Sequence, residues 1–201
     1  DPYSEGLALV ATGRRFGYVD EHGKFAINPQ FEGAGSFNKG LSPVLIGGRW
    51  GYISPASKIV INPQFEEAGN FEGDLALIRI AGRYGYIDRS GKIAINPQFE
   101  GAGNFSDGLA LIRMGGRFGF INRSGKIAIN PQFEAAGDFN EELAVVMLNN
   151  RFGYINPTGK FVINPQFDEA GDFTDGIAPV WLGERQGYID KDGKYIWNPS
   201  I

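Results

Sequence analysis

The chain has 201 residues, no cysteine and one histidine, with 42% hydrophobic and 21% charged residues and a formal net charge of −4. The length suffices for an ordinary core. The mildly acidic balance, with both signs interspersed, argues against nucleic acid, which needs a basic face. The absence of cysteine excludes disulfides and thiolate metal sites. No apolar run approaches the roughly 18 residues of a membrane-spanning helix. Thirty glycines and sixteen phenylalanines point to tight turns around an aromatic core, which suits β structure better than helix. The first residue is Asp1 and no signal-peptide pattern follows it, so a processed or trimmed chain is expected.

From the N-terminus the dominant signal is repetition. Gly17, Gly51, Gly85, Gly119, Gly153 and Gly187 stand 34 residues apart, as do Asn28, Asn62, Asn96, Asn130, Asn164 and Asn198. Tyr3, Phe37, Phe71, Phe105, Phe139 and Phe173 mark the start of each copy. Six copies therefore fill residues 1–201 as one repeat domain, with units at about 3–36, 37–70, 71–104, 105–138, 139–172 and 173–201, the last stopping at Ile201. A period of 34 also belongs to helical-pair repeats, but every copy carries Asn-Pro and several glycines. In a helix interior, proline and glycine cost about 3 and 1 kcal/mol.

Each copy reads as three strands. In the third, "LALIRI" (Leu75–Ile80) leads through Ala81-Gly82 into "RYGYI" (Arg83–Ile87). The same turn is Gly47-Gly48, Gly115-Gly116 and Asn149-Asn150 elsewhere, residues that accept the positive φ of two-residue hairpins. "DRSG" (Asp88–Gly91) has type I turn chemistry. The third strand, Lys92–Ile95, is expected to end where Pro97 removes a ladder donor, and an eleven-residue connection follows.

Alternation gives each meander two apolar faces: Ala76, Ile78 and Ile80 on one, Leu75 and Leu77 on the other. Such sheets must be covered on both sides, so they are expected to stack. The expected fold is all-β, six tandem three-stranded antiparallel meanders. A propeller-like closed ring is favoured, because neither terminal copy has a polar outer face; the alternative is an open β-solenoid of the same units.

"RWGYIS" (Arg49–Ser54), "RYGYIDRSGKIAINPQFE" (Arg83–Glu100) and "FSDGLALIR" (Phe105–Arg113) resemble the bacterial WG-repeat family, sometimes called KWG repeats. The naming dipeptide survives only at Trp50-Gly51; elsewhere the aromatic is Phe or Tyr, and at Gln186 it is lost. The resemblance implies a non-enzymatic interaction module.

The candidate chemistry is repeated rather than unique. His22 lies alone in a turn and reads as solvated. No side chain has a distinctive acid–base setting, so no catalytic residue, cofactor or metal site is expected. Arginines at 15, 49, 83, 117, 151 and 185 recur with acids at Glu32, Glu66, Glu100, Glu134 and Asp168, which reads as Arg–carboxylate bridges between repeats rather than a cationic glycan surface. Asn28, Gln30 and their counterparts are expected to satisfy backbone groups beside the proline, with Phe65 as an apolar peg.

One column varies inside the constant frame: Ala11, Leu45, Arg79, Arg113, Met147 and Trp181. Leu45, Arg79, Arg113, Met147 and Trp181 are the candidate partner-binding residues, the partner being a protein or a glycan. Tyr195 and Trp197 mark a candidate terminal interface for self-association into an oligomer or filament. A binding scaffold is the leading reading, with no nucleic acid and no membrane insertion.

Overall fold

A computed structural model describes residues 3–198. Among the described residues there is no helix, and the strands form six antiparallel sheets in tandem. The chain divides into two compact units, Asp1–Gln98 and Phe99–Ile201. Sheets one to three belong to the first and sheets four to six to the second, the division falling within the third strand of sheet three (Ile93–Phe99). The all-β tandem meanders expected from the sequence are present. The end of the last copy at Ile201 lies outside the described residues.

Sheet four shows the pattern. Leu109–Met114 and Arg117–Asn122 pair in uninterrupted register across Gly115-Gly116, whose φ angles of +59° and +73° make the two-residue turn. Ala81 and Gly82, and Asn149 and Asn150, also take positive φ at this turn. At the next turn the Asn122 carboxamide oxygen accepts from the Ser124 and Lys126 N–H groups, and Gly125 closes the turn onto the Asn122 carbonyl at 2.8 Å.

Two expectations need correction. Sheets two to six have four strands rather than three. The supposed connection contains an edge strand (Gly101–Ser106 in sheet four, Glu67–Glu72 in sheet three, only two residues in sheets two, five and six) that pairs with the first strand. It turns into that strand through a second positive-φ pair, Asp107 (+49°) and Gly108 (+81°) in sheet four. Second, the Asn-Pro step does not end the third strand, which in sheet four runs Ile127–Phe133. Phe120 pairs with Ile129 and Phe118 with Phe133, so two extra residues bulge out between them. Proline is tolerated in a bulge because the ladder is already interrupted there.

The bulge explains the constant glycine. A Cβ on Gly119 would lie 2.6 Å from both the Ile129 carbonyl oxygen and the Pro131 nitrogen, and Gly17, Gly51, Gly85 and Gly153 meet the same backbone atoms. Asn28 and Gln30 and their counterparts up to Gln166 are exposed, so their amides are not the clamps expected of them. The phenylalanine two residues beyond the proline is the peg: Phe65 and Phe133 are each 1% exposed.

Within each unit the sheets stack in chain order. One face of each sheet carries the Gly-Tyr tyrosine and reaches forward; the opposite face of the following sheet receives it. In the first unit Tyr18, Ile27 and Phe31 pack on Phe37, Val44 and Ile53, and Tyr52, Ile61 and Phe65 pack on Phe71, Ile78 and Ile87. In the second, Phe120, Ile129 and Phe133 pack on Phe139, Val146 and Ile155, and Tyr154, Ile163 and Phe167 on Phe173, Val180 and Ile189. The forward aromatic meets the next copy's phenylalanine at 4.7–5.0 Å between ring centres in all four junctions.

Candidate functional site

Two polar devices fasten the junctions, the first at three of these four, since Phe120 of sheet four has no hydroxyl. The Tyr18, Tyr52 and Tyr154 hydroxyls donate to the carbonyls of Gly35, Gly69 and Gly171 in the next sheet's edge segment, at 2.9, 2.7 and 2.7 Å. Burial holds these phenols neutral: it pushes Tyr18 up to about 12 against a weaker downward pull from Ser42, and raises Tyr52 and Tyr154 as well.

The recurrent carboxylate is the second device. Glu134 accepts from the Asn150 N–H at 2.9 Å, capping the next copy's first hairpin, and lies 3.2 Å from the Arg117 guanidinium of its own copy. These contacts, the backbone one foremost, hold its carboxyl below the usual range. Glu32 caps the Gly47 and Gly48 N–H groups beside Arg15; Asp168 caps Gly183 beside Arg151. The Arg–acid pairs are thus within a copy, and it is the cap that spans copies. Being exposed, each ion pair adds little to stability.

The variable column lies where these junctions open. Leu45, Arg79, Arg113, Met147 and Trp181 each sit between the residue at the Gly-Tyr aromatic position of the second strand (Trp50, Tyr84, Phe118, Phe152, Gln186) and a residue of the edge strand (Gly33, Glu67, Gly101, Ala135, Glu169). Each belongs to its own sheet. In sheet two the Trp50 indole fills this place, closing to 3.1 Å from where a Gly33 Cβ would stand. Smaller aromatics leave grooves at sheets three, four and five of about 180, 240 and 290 Å³.

The three grooves differ in their chemistry. In sheet three Arg79 lies over the Tyr84 ring and bonds Glu67 at 2.6 Å, while the Tyr84 hydroxyl donates to the same carboxylate at 2.8 Å. The Tyr84 bond first and Arg79 second depress the Glu67 pKa. In sheet four Arg113 lies over Phe118, and Asp138 of sheet five's edge segment closes the groove. In sheet five the walls are Val145, Phe152, Ala135 and Gly171, with Asp172 at the end. Sequence reading missed Asp138 and Asp172. Their column runs Ser36, Asn70, Asn104, Asp138, Asp172, and the charge in the last two positions was its only signal.

Other candidates fall elsewhere. His22 is exposed and 3.7 Å from Glu21. Tyr195 and Trp197 are on the final sheet; Trp197 is 57% exposed and Tyr188 38%, whereas their counterparts Ile163 and Tyr154 are 3% and 0%. No cluster among the described residues has the make-up of a metal site, and no helix is long and apolar enough to cross a membrane.

The chain resembles propeller-like solved structures in fold alone. It matches Kluyveromyces lactis Hsv2p at 8% identity and a TM-score of 0.54, over 93% of this chain and 71% of that one. A crystal structure of the eukaryotic initiation factor matches at 11% and 0.60, over 96% and 62%. Dihydro-heme d1 dehydrogenase NirN matches at 10% and 0.52, over 95% and 53%. No curated protein sequence matches. The family model of the WG containing repeat matches residues 16–50, 50–84, 84–118, 118–152 and 152–183. With five consecutive matches over most of its length, the chain belongs to the WG-containing repeat family.

Proposed function

We propose that this chain is a non-catalytic scaffold that engages a protein partner through the grooves at the variable column. The observation that carries this reading is positional. The column that changes from copy to copy lies beside grooves at sheets three, four and five, with Arg113 lining one of them, whereas the glycine, the aromatic after it and the carboxylate that build the sheets recur. A frame with fixed chemistry and one changing column suits recognition, with each copy contributing a different contact. A glycan would demand planar or multiply hydrogen-bonding side chains, and the column offers Leu45 and Met147 beside its arginines. Photo-crosslinking groups placed singly at Arg79, Arg113, Met147 and Trp181, with Lys92 and Lys126 as off-column controls, test this. Crosslinks to a partner concentrated on the column support it; an even spread removes it.

A second reading, end-to-end association of this 201-residue chain, is favoured by the exposed forward face of the final sheet. Ile177, Tyr188 and Trp197 are 39%, 38% and 57% exposed where the preceding sheet buries Leu143, Tyr154 and Ile163 to 7%, 0% and 3%. Light scattering should then show assemblies that Trp197→Glu dissolves by placing a charge in an apolar contact. A monodisperse monomer at all concentrations eliminates this reading.

A further inference from the structure

The chain's own arginines show what these grooves accept. At sheet three the Arg79 guanidinium lies 5.4 Å from the Tyr84 ring centre, and at sheet four Arg113 lies 5.7 Å from Phe118. In each case the cation stacks over the groove's aromatic wall with a carboxylate at hand, Glu67 in one and Glu100 or Asp138 in the other. Guanidinium groups favour this combination because the plane stacks on the ring while the fork faces an acid.

Sheet five has the wall and the acid but no cation of its own. Its column residue is Met147, which pairs with Phe152 and Ala135. Asp172 lies at the groove's end, its Oδ1 3.1 Å from the position of a Gly137 Cβ. Among the described residues it forms no salt bridge, unlike Glu66, Glu134, Glu141 and Asp168. Asp138 stands one copy earlier in the same column, and its carboxyl is pushed up first by burial and then by the charge of Asp172. The charge of Asp172 is thus felt at Asp138 in the sheet-four groove, while Asp172 itself lies in a groove walled by Phe152, with no guanidinium among the residues that line it. At about 290 Å³ the groove lies just below the roughly 300–1,000 Å³ of small-molecule pockets. It suits one side chain with its apolar stem along Val145 and the alanines.

We propose that the groove of sheet five is the seat for an arginine side chain of the partner, stacked on Phe152 and paired with Asp172, supplying in trans the guanidinium that sheets three and four supply in cis. This rests on the protein-scaffold reading above and names the partner's chemistry at one of its grooves.

The test uses a fluorescein-labelled glycine–serine peptide carrying two arginines, and the same peptide with glutamines or glutamates in their place, titrated against the full chain by fluorescence anisotropy. The arginine peptide should bind, and Asp172→Asn, which is isosteric, should weaken it about tenfold, the factor that 1.4 kcal/mol represents. Met147→Arg should weaken it comparably by placing the chain's own guanidinium over Phe152, as the frame already allows at positions 79 and 113. Asp107→Asn, which removes an equal charge at a distant turn, should change nothing. Unaltered thermal melting of the variants keeps the readout specific. Equal binding of the glutamine peptide, or no effect of Asp172→Asn and Met147→Arg, overturns the proposal. If the glutamine or glutamate peptide binds and Met147→Arg blocks it, the groove still recognises protein and only the arginine assignment falls. If none of the three binds and crosslinks do not concentrate on the column, both readings fall together.

Discussion

Replacing Gly153 by alanine adds one methyl group at the tightest point of the frame. The added Cβ would lie 2.5 Å from the Ile163 carbonyl oxygen, 2.7 Å from the Pro165 nitrogen and 2.8 Å from the Asn164 carbonyl carbon. All three are backbone atoms, so no rotamer change relieves the contact. The bulge must lift by most of an ångström, and it is pinned on both sides by the Tyr154–Ile163 and Phe152–Phe167 pairs. Overpacking of this kind costs about 1–3 kcal/mol, and a disrupted ladder hydrogen bond adds about 1 kcal/mol. A loss of about 2–4 kcal/mol follows, read from the midpoint of equilibrium urea unfolding. Gly108→Ala is the control. Its Cβ would meet nothing within 4 Å, but its φ of +81° exacts the left-handed penalty, about 1–2 kcal/mol. Gly153→Ala should therefore be the more damaging of the two. If it matches or falls below Gly108→Ala, the glycine column is conformational in origin and the bulge-contact account is wrong.

Three further outcomes are expected. Tyr86→Ala, at a ring 1% exposed, should cost about 3–5 kcal/mol in chemical denaturation, whereas His22→Ala in its exposed turn should be close to neutral. Stability should fall in alkali: the folded Tyr18 pKa, about 12, exceeds its ordinary value of 10.0, so its contribution is complete below pH 10 and is lost as pH rises towards 12, a trend that melting temperatures should follow and Tyr18→Phe should reduce. Glu142 holds a φ of +70° where four other copies place Gly6, Gly40, Gly108 and Gly176, so Glu142→Gly should raise the urea midpoint, the left-handed penalty of about 1–2 kcal/mol exceeding the entropic cost of glycine, about 0.5–1 kcal/mol.

What the sequence disclosed, and what it hid, follows from how local each signal is. The first hairpin was legible because Gly47-Gly48 and Asn149-Asn150 require positive φ by themselves. The stacked sheets were legible from the two apolar faces of Leu75–Ile80. The edge strand was not, since its "GAG" core has poor strand propensity and is recruited by pairing with the first strand; tertiary context overrides propensity there. A signal was available in Asp107-Gly108 and Asp175-Gly176, strong two-residue hairpin pairs that a connecting segment would not need. The Asn-Pro step misled for a related reason. Proline was read as a strand end, but the four-residue spacing from Ile129 to Phe133 opposite the two-residue spacing from Phe118 to Phe120 is that of a bulge. The variable column was visible as variation alone. That Asp138 and Asp172 face the preceding sheet's groove depends on how one sheet overlies the next, which no single strand pattern encodes.

The construction also explains why the column is free to vary. Every constant position acts on backbone: the glycine admits a bulge, the tyrosine hydroxyl seeks a glycine carbonyl, and the carboxylate caps hairpin N–H groups. Of the column side chains only Arg79 reaches one of these groups, its Nε lying 3.8 Å from the capping carboxylate Glu66. Methionine, arginine, leucine and tryptophan can exchange there without disturbing the junction that joins one sheet to the next. Surface substitutions remote from such devices usually stay within about 0.5 kcal/mol. Binding chemistry at one groove can thus change while the frame keeps its stability. A repeat whose fixed atoms are spent on backbone and whose free side chains face grooves can diversify its contacts one copy at a time.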